Sequence, residues 1–74
     1  MITPHPVVSS NISLVGWADD QLYVAFKSGG AYRYADVPNQ VFVDFLAAES
    51  AGKFFHSDVK PQYAFTALTA NPFN

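Results

Sequence analysis

Residues 27–38 read Lys27-Ser28-Gly29-Gly30-Ala31-Tyr32-Arg33-Tyr34-Ala35-Asp36-Val37-Pro38, and their reading decides the fold. The stretch opens on a glycine turn, continues as a short alternating segment with two tyrosines flanking an arginine, and closes on a proline. Glycine accepts the positive φ that tight hairpin turns demand. Proline fits the first turn of a helix, and Asp36 is positioned to cap it or compensate its dipole. What precedes the stretch reads as β, and nearly everything after it reads as α.

Upstream, Gln21 to Lys27 alternates, with Leu22, Val24 and Phe26 on one face and Gln21, Tyr23, Ala25 and Lys27 on the other. Before it, Ile12 and Leu14 face one way and Asn11 and Ser13 the other, a first strand that Gly16 and Trp17 extend. Ala18-Asp19-Asp20 supplies turn chemistry between the two. Loop length then decides where Tyr32 and Tyr34 point. A two-residue loop sets them beside Tyr23 and Ala25. A three-residue loop of Ser28, Gly29 and Gly30 pairs Phe26 with Tyr32 and Val24 with Tyr34, continuing the core face. The second register is preferred because Arg33 then points to solvent with Lys27 as its neighbour across the hairpin. A one-residue slip reverses every assignment.

Downstream, Val41, Phe42, Phe45 and Leu46 recur at helical spacing and form the expected buried stripe of a helix from about residue 38 to near Ser50. Ser50 caps a second, shorter helix carrying Phe54, Phe55 and Val59, which Pro61 terminates. Tyr63 and Phe65 alternate like a short strand, and an uncharged tail follows. Pro4 and Pro6 make residues 1–8 an extended arm. The expected architecture is α+β: a three-stranded antiparallel sheet, one main helix and a second short helix. It divides into the arm (1–8), the domain (9–63) and a tail (64–74) that is docked or frayed.

Composition limits the function. Seventy-four residues make one small domain, and half of them are hydrophobic, including one Trp, four Tyr and seven Phe. A single core in so short a chain rarely supplies more than about 3–5 kcal/mol, so the aromatic rings matter. No cysteine is present, so disulfides and thiolate metal sites are excluded. The formal charge is −2, with Lys27, Arg33, Lys53 and Lys60 the only strong bases, which is not the footprint of a duplex binder. The first residues lack the charged and apolar regions of a signal peptide, and no apolar run is long enough to span a membrane. A cytoplasmic protein is expected.

Candidate chemistry is sparse. His56-Ser57-Asp58 has the residue types of a triad, but consecutive residues cannot align nucleophile, base and orienting carboxylate. His5 and His56 have no companions for a four-ligand site, so neither metal nor cofactor is expected. Tyr32 and Tyr34 with Lys27, Arg33 and Tyr23 suggest an aromatic–basic face on which single-stranded RNA bases stack while cations hold phosphates. Core packing is the competing role for the two Tyr32/Tyr34 rings. A charge-poor surface, a proline-containing arm and an aromatic-ended tail instead suit contact with a larger protein.

Taken together, Ser9-Ser10-x-Ile12, Leu22-x-Val24-x-Phe26, Gly30-x-Tyr32-x-Tyr34, Val37-Pro38, Ser50-x-Gly52, Phe54-Phe55 and Tyr63 resemble the KTSC family over about residues 8–63. Gly16-Trp17 departs from it, since the family more usually has an aromatic residue followed by Asp. The family takes its name from a domain at the C-terminus of some lysyl-tRNA synthetases and also occurs as free-standing bacterial and phage proteins. RNA binding has been suggested for it. The resemblance, joined to the acidic charge, implies a small non-catalytic regulator or adaptor that contacts a nucleic-acid-processing machine such as RNA polymerase or the translation machinery. Single-stranded RNA binding through Lys27, Tyr32, Arg33, Tyr34 and Tyr23 is the alternative. No membrane partner is expected.

Overall fold

Strand pairing in this chain follows chain order. The computed structural model describes residues 2–73, and its single antiparallel sheet runs β1 (His5–Pro6), β2 (Ile12–Ala18), β3 (Gln21–Phe26), β4 (Ala31–Tyr34) and β5 (Phe65–Leu68) in that spatial sequence. Two helices, α1 (Asn39–Ala47) and α2 (Ala51–Phe54), sit between β4 and β5 in sequence, and a π-helical turn (Phe55–Val59) continues α2. The class is α+β as expected, with two helical segments, but the sheet has five strands rather than three. The two additions come from the terminal segments. His5 pairs with Val15 and Pro6 with Leu14, while Phe65 to Leu68 pairs with Tyr34 to Ala31. Met1 and Asn74, the outermost residues of the arm and tail, lie outside the described residues.

The two hairpin turns follow from their residues. Asp19 and Asp20 both take positive φ, 52° and 61°, the pairing a two-residue turn between twisted strands requires. At the second turn the Phe26 N–H donates to the Gly30 carbonyl, and Gly29 (φ 110°) donates to the Phe26 carbonyl. The loop therefore has three residues as expected, but they are Lys27, Ser28 and Gly29. Val24 faces Tyr32 and Leu22 faces Tyr34, two positions from the expected register. A two-position shift preserves parity, so both tyrosines stay on the Leu22/Val24 face.

The first strand differs more. A bulge at Ser13 lets Ile12 oppose Phe26 while Leu14 opposes Ala25. The extra residue sends Ile12 into the core and Leu14 to the opposite face, so the two do not share a side.

The core lies between the sheet and the helical half: Ile12, Val15, Leu22, Val24 and Tyr34 from the strands meet Val37, Phe45, Ala51, Phe55 and Val59. Trp17 fastens the junction, its Nε1–H donating to the Val37 carbonyl at 2.7 Å. α1 starts at Asn39 behind Pro38 and ends at Ala47, short of Ser50. Asp36 does not cap it; that residue takes φ 57° and turns the chain ahead of the helix. Of the expected stripe, Phe45 is buried, Val41 and Phe42 are half-buried, and Leu46 is exposed, because a helix of nine residues presents only a narrow strip to the sheet. Ser50 caps α2 as expected, its Oγ accepting the Lys53 N–H at 3.2 Å.

The outer face of the sheet has its own small cover. Ile2 bridges Phe73 in parallel, and both lie over Gly16, where a Cβ would stand 2.6 Å from Ile2 Cγ2 and 2.9 Å from Phe73 Cε1. Gly16 is what permits the two ends to close on the strand.

Candidate functional site

Alternation splits the five residues singled out from sequence. Tyr23 and Arg33 are cross-strand partners on the outer face, whereas Tyr32 and Tyr34 face the helices. Tyr34 is 2% exposed and its ring meets Phe55 edge-on at 5.7 Å, so it belongs to the core. Burial pushes its hydroxyl above the ordinary value near 10, and the neighbouring Tyr32 phenol adds to the push. Lys27 is in the β3–β4 turn and does not pair with Arg33, because the loop begins one residue earlier than expected. The Tyr-Arg-Tyr strand thus divides its side chains between the two faces of the sheet.

Lys27, Tyr32 and Tyr34 instead share a groove of about 440 Å³ on the helical side, between the β3–β4 turn, α2 with its π turn, and β5. Its apolar wall is a chain of rings. Phe26 meets Tyr32 edge-on at 5.5 Å, Tyr32 stacks on Phe65 at 5.3 Å with 29° between planes, and Phe55 supports Phe26 from below at 5.5 Å. Phe65 is 57% exposed and presents the open ring of the set. The rim is polar: Ser10, Asn11 and Ser28 on one side, His56 and Lys60 on the other. A shallower basin continues past Ser10, Asn11, Gly52 and His56 to Ser50, Lys53 and Ser57.

Local structure explains the rim. Ser9 Oγ accepts the amides of Asn11 and Ile12, and the Asn11 carbonyl accepts the Lys27 N–H at 2.8 Å, so the segment before β2 is tied to the β3–β4 turn. On the far side the Lys60 N–H reaches back five residues to the Phe55 carbonyl at 2.8 Å. Such widened turns occur mostly as single turns, often at functional sites. This one buries Phe55 and Val59 while His56 and Lys60 line the groove.

Charge is distributed unevenly around this groove. Three of the four Lys and Arg residues, together with His56, line the groove or its basin, and none of the six acids does. Asp19, Asp20 and Asp36 gather at the opposite end of the strands, where the Val37 N–H donates to the Asp20 carbonyl. A chain of net charge −2 thus presents a locally cationic, ring-lined cleft.

Reasoning from sequence missed Lys53, His56, Lys60 and Phe65. The first three stand at i, i+3 and i+7, one side of a helix, and that spacing was the available signal. Of the triad-like run, Ser57 Oγ donates to the Lys53 carbonyl at 3.0 Å, a helix back-bond. His5 packs edge-on against Phe42 at 5.3 Å. Among the described residues no three His, Cys, Asp or Glu side chains form a group that could hold a metal ion, and no helix is long and apolar enough to cross a membrane.

Known proteins are similar to this chain in sequence and fold. A protein of Tsukamurella paurometabola is 45% identical over 66 residues, covering 86% of this chain and 98% of its own. An uncharacterised protein of Stutzerimonas stutzeri is 40% identical over 57 residues, covering 74% of this chain and 80% of its own. The crystal structure of a KTSC domain protein from Yersinia pestis superposes with a TM-score of 0.86 at 30% identity, over 92% of this chain and 99% of that one. Residues 8–63 match the KTSC domain itself, and on that match and these relatives the chain belongs to the KTSC domain family.

Proposed function

We propose that this protein is a non-catalytic module of a nucleic-acid-processing machine, in transcription or translation, and that it holds single-stranded RNA in the ring-lined groove. The observation that carries this reading is the gathering of Lys27, Lys60 and His56 around an open aromatic wall, with Lys53 in the adjoining basin and no acid lining either. Aromatic rings receive unstacked bases and lysines hold the phosphates between them. This reading prefers RNA to the protein-only adaptor and takes the groove, rather than the Tyr-Arg-Tyr strand, as its site.

Fluorescence anisotropy with labelled single-stranded RNA at low and moderate salt tests it. Binding that weakens with salt, falls about 5- to 150-fold in Phe65→Ala, and is unchanged in Arg33→Ala is the expected result. Equal loss in both variants, or no binding at low salt, overturns it.

One observation favours a second reading, docking of a larger protein. β5 is an edge of the sheet, and its Phe-Thr-Ala-Leu sequence is uncharged and free of proline, open to an added partner strand. The Ala67 N–H faces away from β4, and an Ala67→Pro variant that loses a defined partner, such as RNA polymerase, in reconstituted binding would support this alternative.

A further inference from the structure

We infer that the groove is a short site: it takes one unpaired nucleotide together with its flanking phosphates, rather than a strand laid across the sheet. The inference rests on the RNA reading and specifies the ligand of that same groove.

The rings set the limit. Phe65 is the exposed face, Tyr32 beneath it is half-buried, and Tyr34 and Phe55 behind them are buried; Phe26, also half-buried, meets Tyr32 edge-on and so does not extend its stack. Beyond these, the helical face of the sheet is closed, since Val15, Leu22 and Val24 are fully covered. Tyr23, the remaining tyrosine of the sheet, is on the other side and cannot continue a stacked track. One base therefore finds a platform, and the next does not. A volume of about 440 Å³ sits at the small end of the ~300–1,000 Å³ range of single-ligand clefts.

Three lysines, with the His56 imidazole beside them, are placed for the phosphates of that one nucleotide. Lys27 comes from the β3–β4 turn, Lys60 and His56 from the π turn, and Lys53 from α2 in the adjoining basin. Lys53, His56 and Lys60 share one side of the helical segment, and Lys27 reaches the aromatic wall from the β3–β4 turn. Ser10 and Asn11 are shared by groove and basin, placing hydroxyl and amide groups between the stacking platform and Lys53. An unpaired base in a loop, a bulge or a strand end fits such a site, with little preference among bases because every base offers a face to stack.

Oligouridylates of one, two, three, six and twelve nucleotides, titrated against the intact chain at several salt concentrations, test this. Affinity per site rises up to about three nucleotides and is then constant, unlike the 4–16 nucleotides covered by extended single-strand binders. With three lysines engaged, log K falls with log salt at a slope of about −2, and replacing Lys27, Lys53 or Lys60 by Gln each removes about 0.7 from it. Amide shifts induced by uridine monophosphate in the unaltered protein, centred on residues 26–32, 52–60 and 65, need no variant to fold. Affinity that keeps climbing to twelve nucleotides with a slope steeper than about −4 overturns the short site and leaves RNA binding intact. No binding at any length overturns the RNA reading itself.

Discussion

The two faces of the sheet are built from the same strands and behave as different surfaces. On the helical face, large side chains interlock across layers: Leu22, Val24 and Val15 pack under Phe45, Phe55 and Val59. On the outer face a glycine, Gly16, is covered by Ile2 and Phe73 from the two ends of the chain. One face is held by a layered core, the other by a clasp. A motif read along a single strand, such as Tyr32-Arg33-Tyr34, is divided between them by the two-residue period of β structure. The comparison teaches that neighbours in a strand are poor guides to a shared site. Residues meet here when turns and helix ends converge, as Lys27, His56 and Lys60 do.

The comparison can be broken first at its strongest point. Phe45→Ala empties a fully buried position at the layer boundary and should cost about 3–5 kcal/mol. Arg33→Ala on the outer face should stay within about 0.5 kcal/mol. Chemical denaturation of both variants checks the pair, and equal losses would mean that the two faces contribute alike. Gly16→Ala comes next. Its Cβ would press on Ile2, Phe73 and the Thr3 carbonyl, the last at 3.0 Å, for a cost of about 1–3 kcal/mol. Hydrogen exchange should show protection lost in residues 65–73 while β2 and β3 keep theirs; unchanged exchange at the tail would argue that the clasp is not what holds it.

The smallest effect sharpens the helical side. The Tyr34 hydroxyl titrates higher in the folded protein than near 10, chiefly because burial disfavours the phenolate. The folded state therefore holds its proton more tightly than the unfolded chain. Any stability tied to this group is fully present below about pH 10 and is lost as pH rises through the folded value. Melting curves from pH 8 to 11 should fall more steeply for the unaltered chain than for Tyr34→Phe. Parallel curves would show that the hydroxyl does not sense the core.

The sequence made the central part of this fold legible and its margins much less so. Alternation in Gln21 to Phe26 and the glycines after it located two strands and the parity of the hairpin, because both signals are local. The Ser13 bulge was hidden, since a strict period of two carries straight through an inserted residue. β1 is two residues long and contains a proline, so it has no pattern of its own and exists because β2 offers a ladder. For β5 the alternation of Tyr63 and Phe65 marked a short strand but not its pairing with β4, which depends on the chain returning past the helices. The site was partly visible for a similar reason. Spacing of Lys53, His56 and Lys60 marked one helical side, but its meeting with Lys27 depends on how the β3–β4 turn lies against the π turn.

The bridge between Ile2 and Phe73 has a kinetic consequence. Every ladder of the sheet joins strands that are adjacent in spatial order, and three of the four join segments close along the chain. Ladders of that kind close short loops and are the ones able to form early. The Ile2–Phe73 bridge is the opposite case, joining the extreme ends of the described chain. It should form after the meander exists to receive it, and the amides beside it should exchange by local opening, ahead of global unfolding.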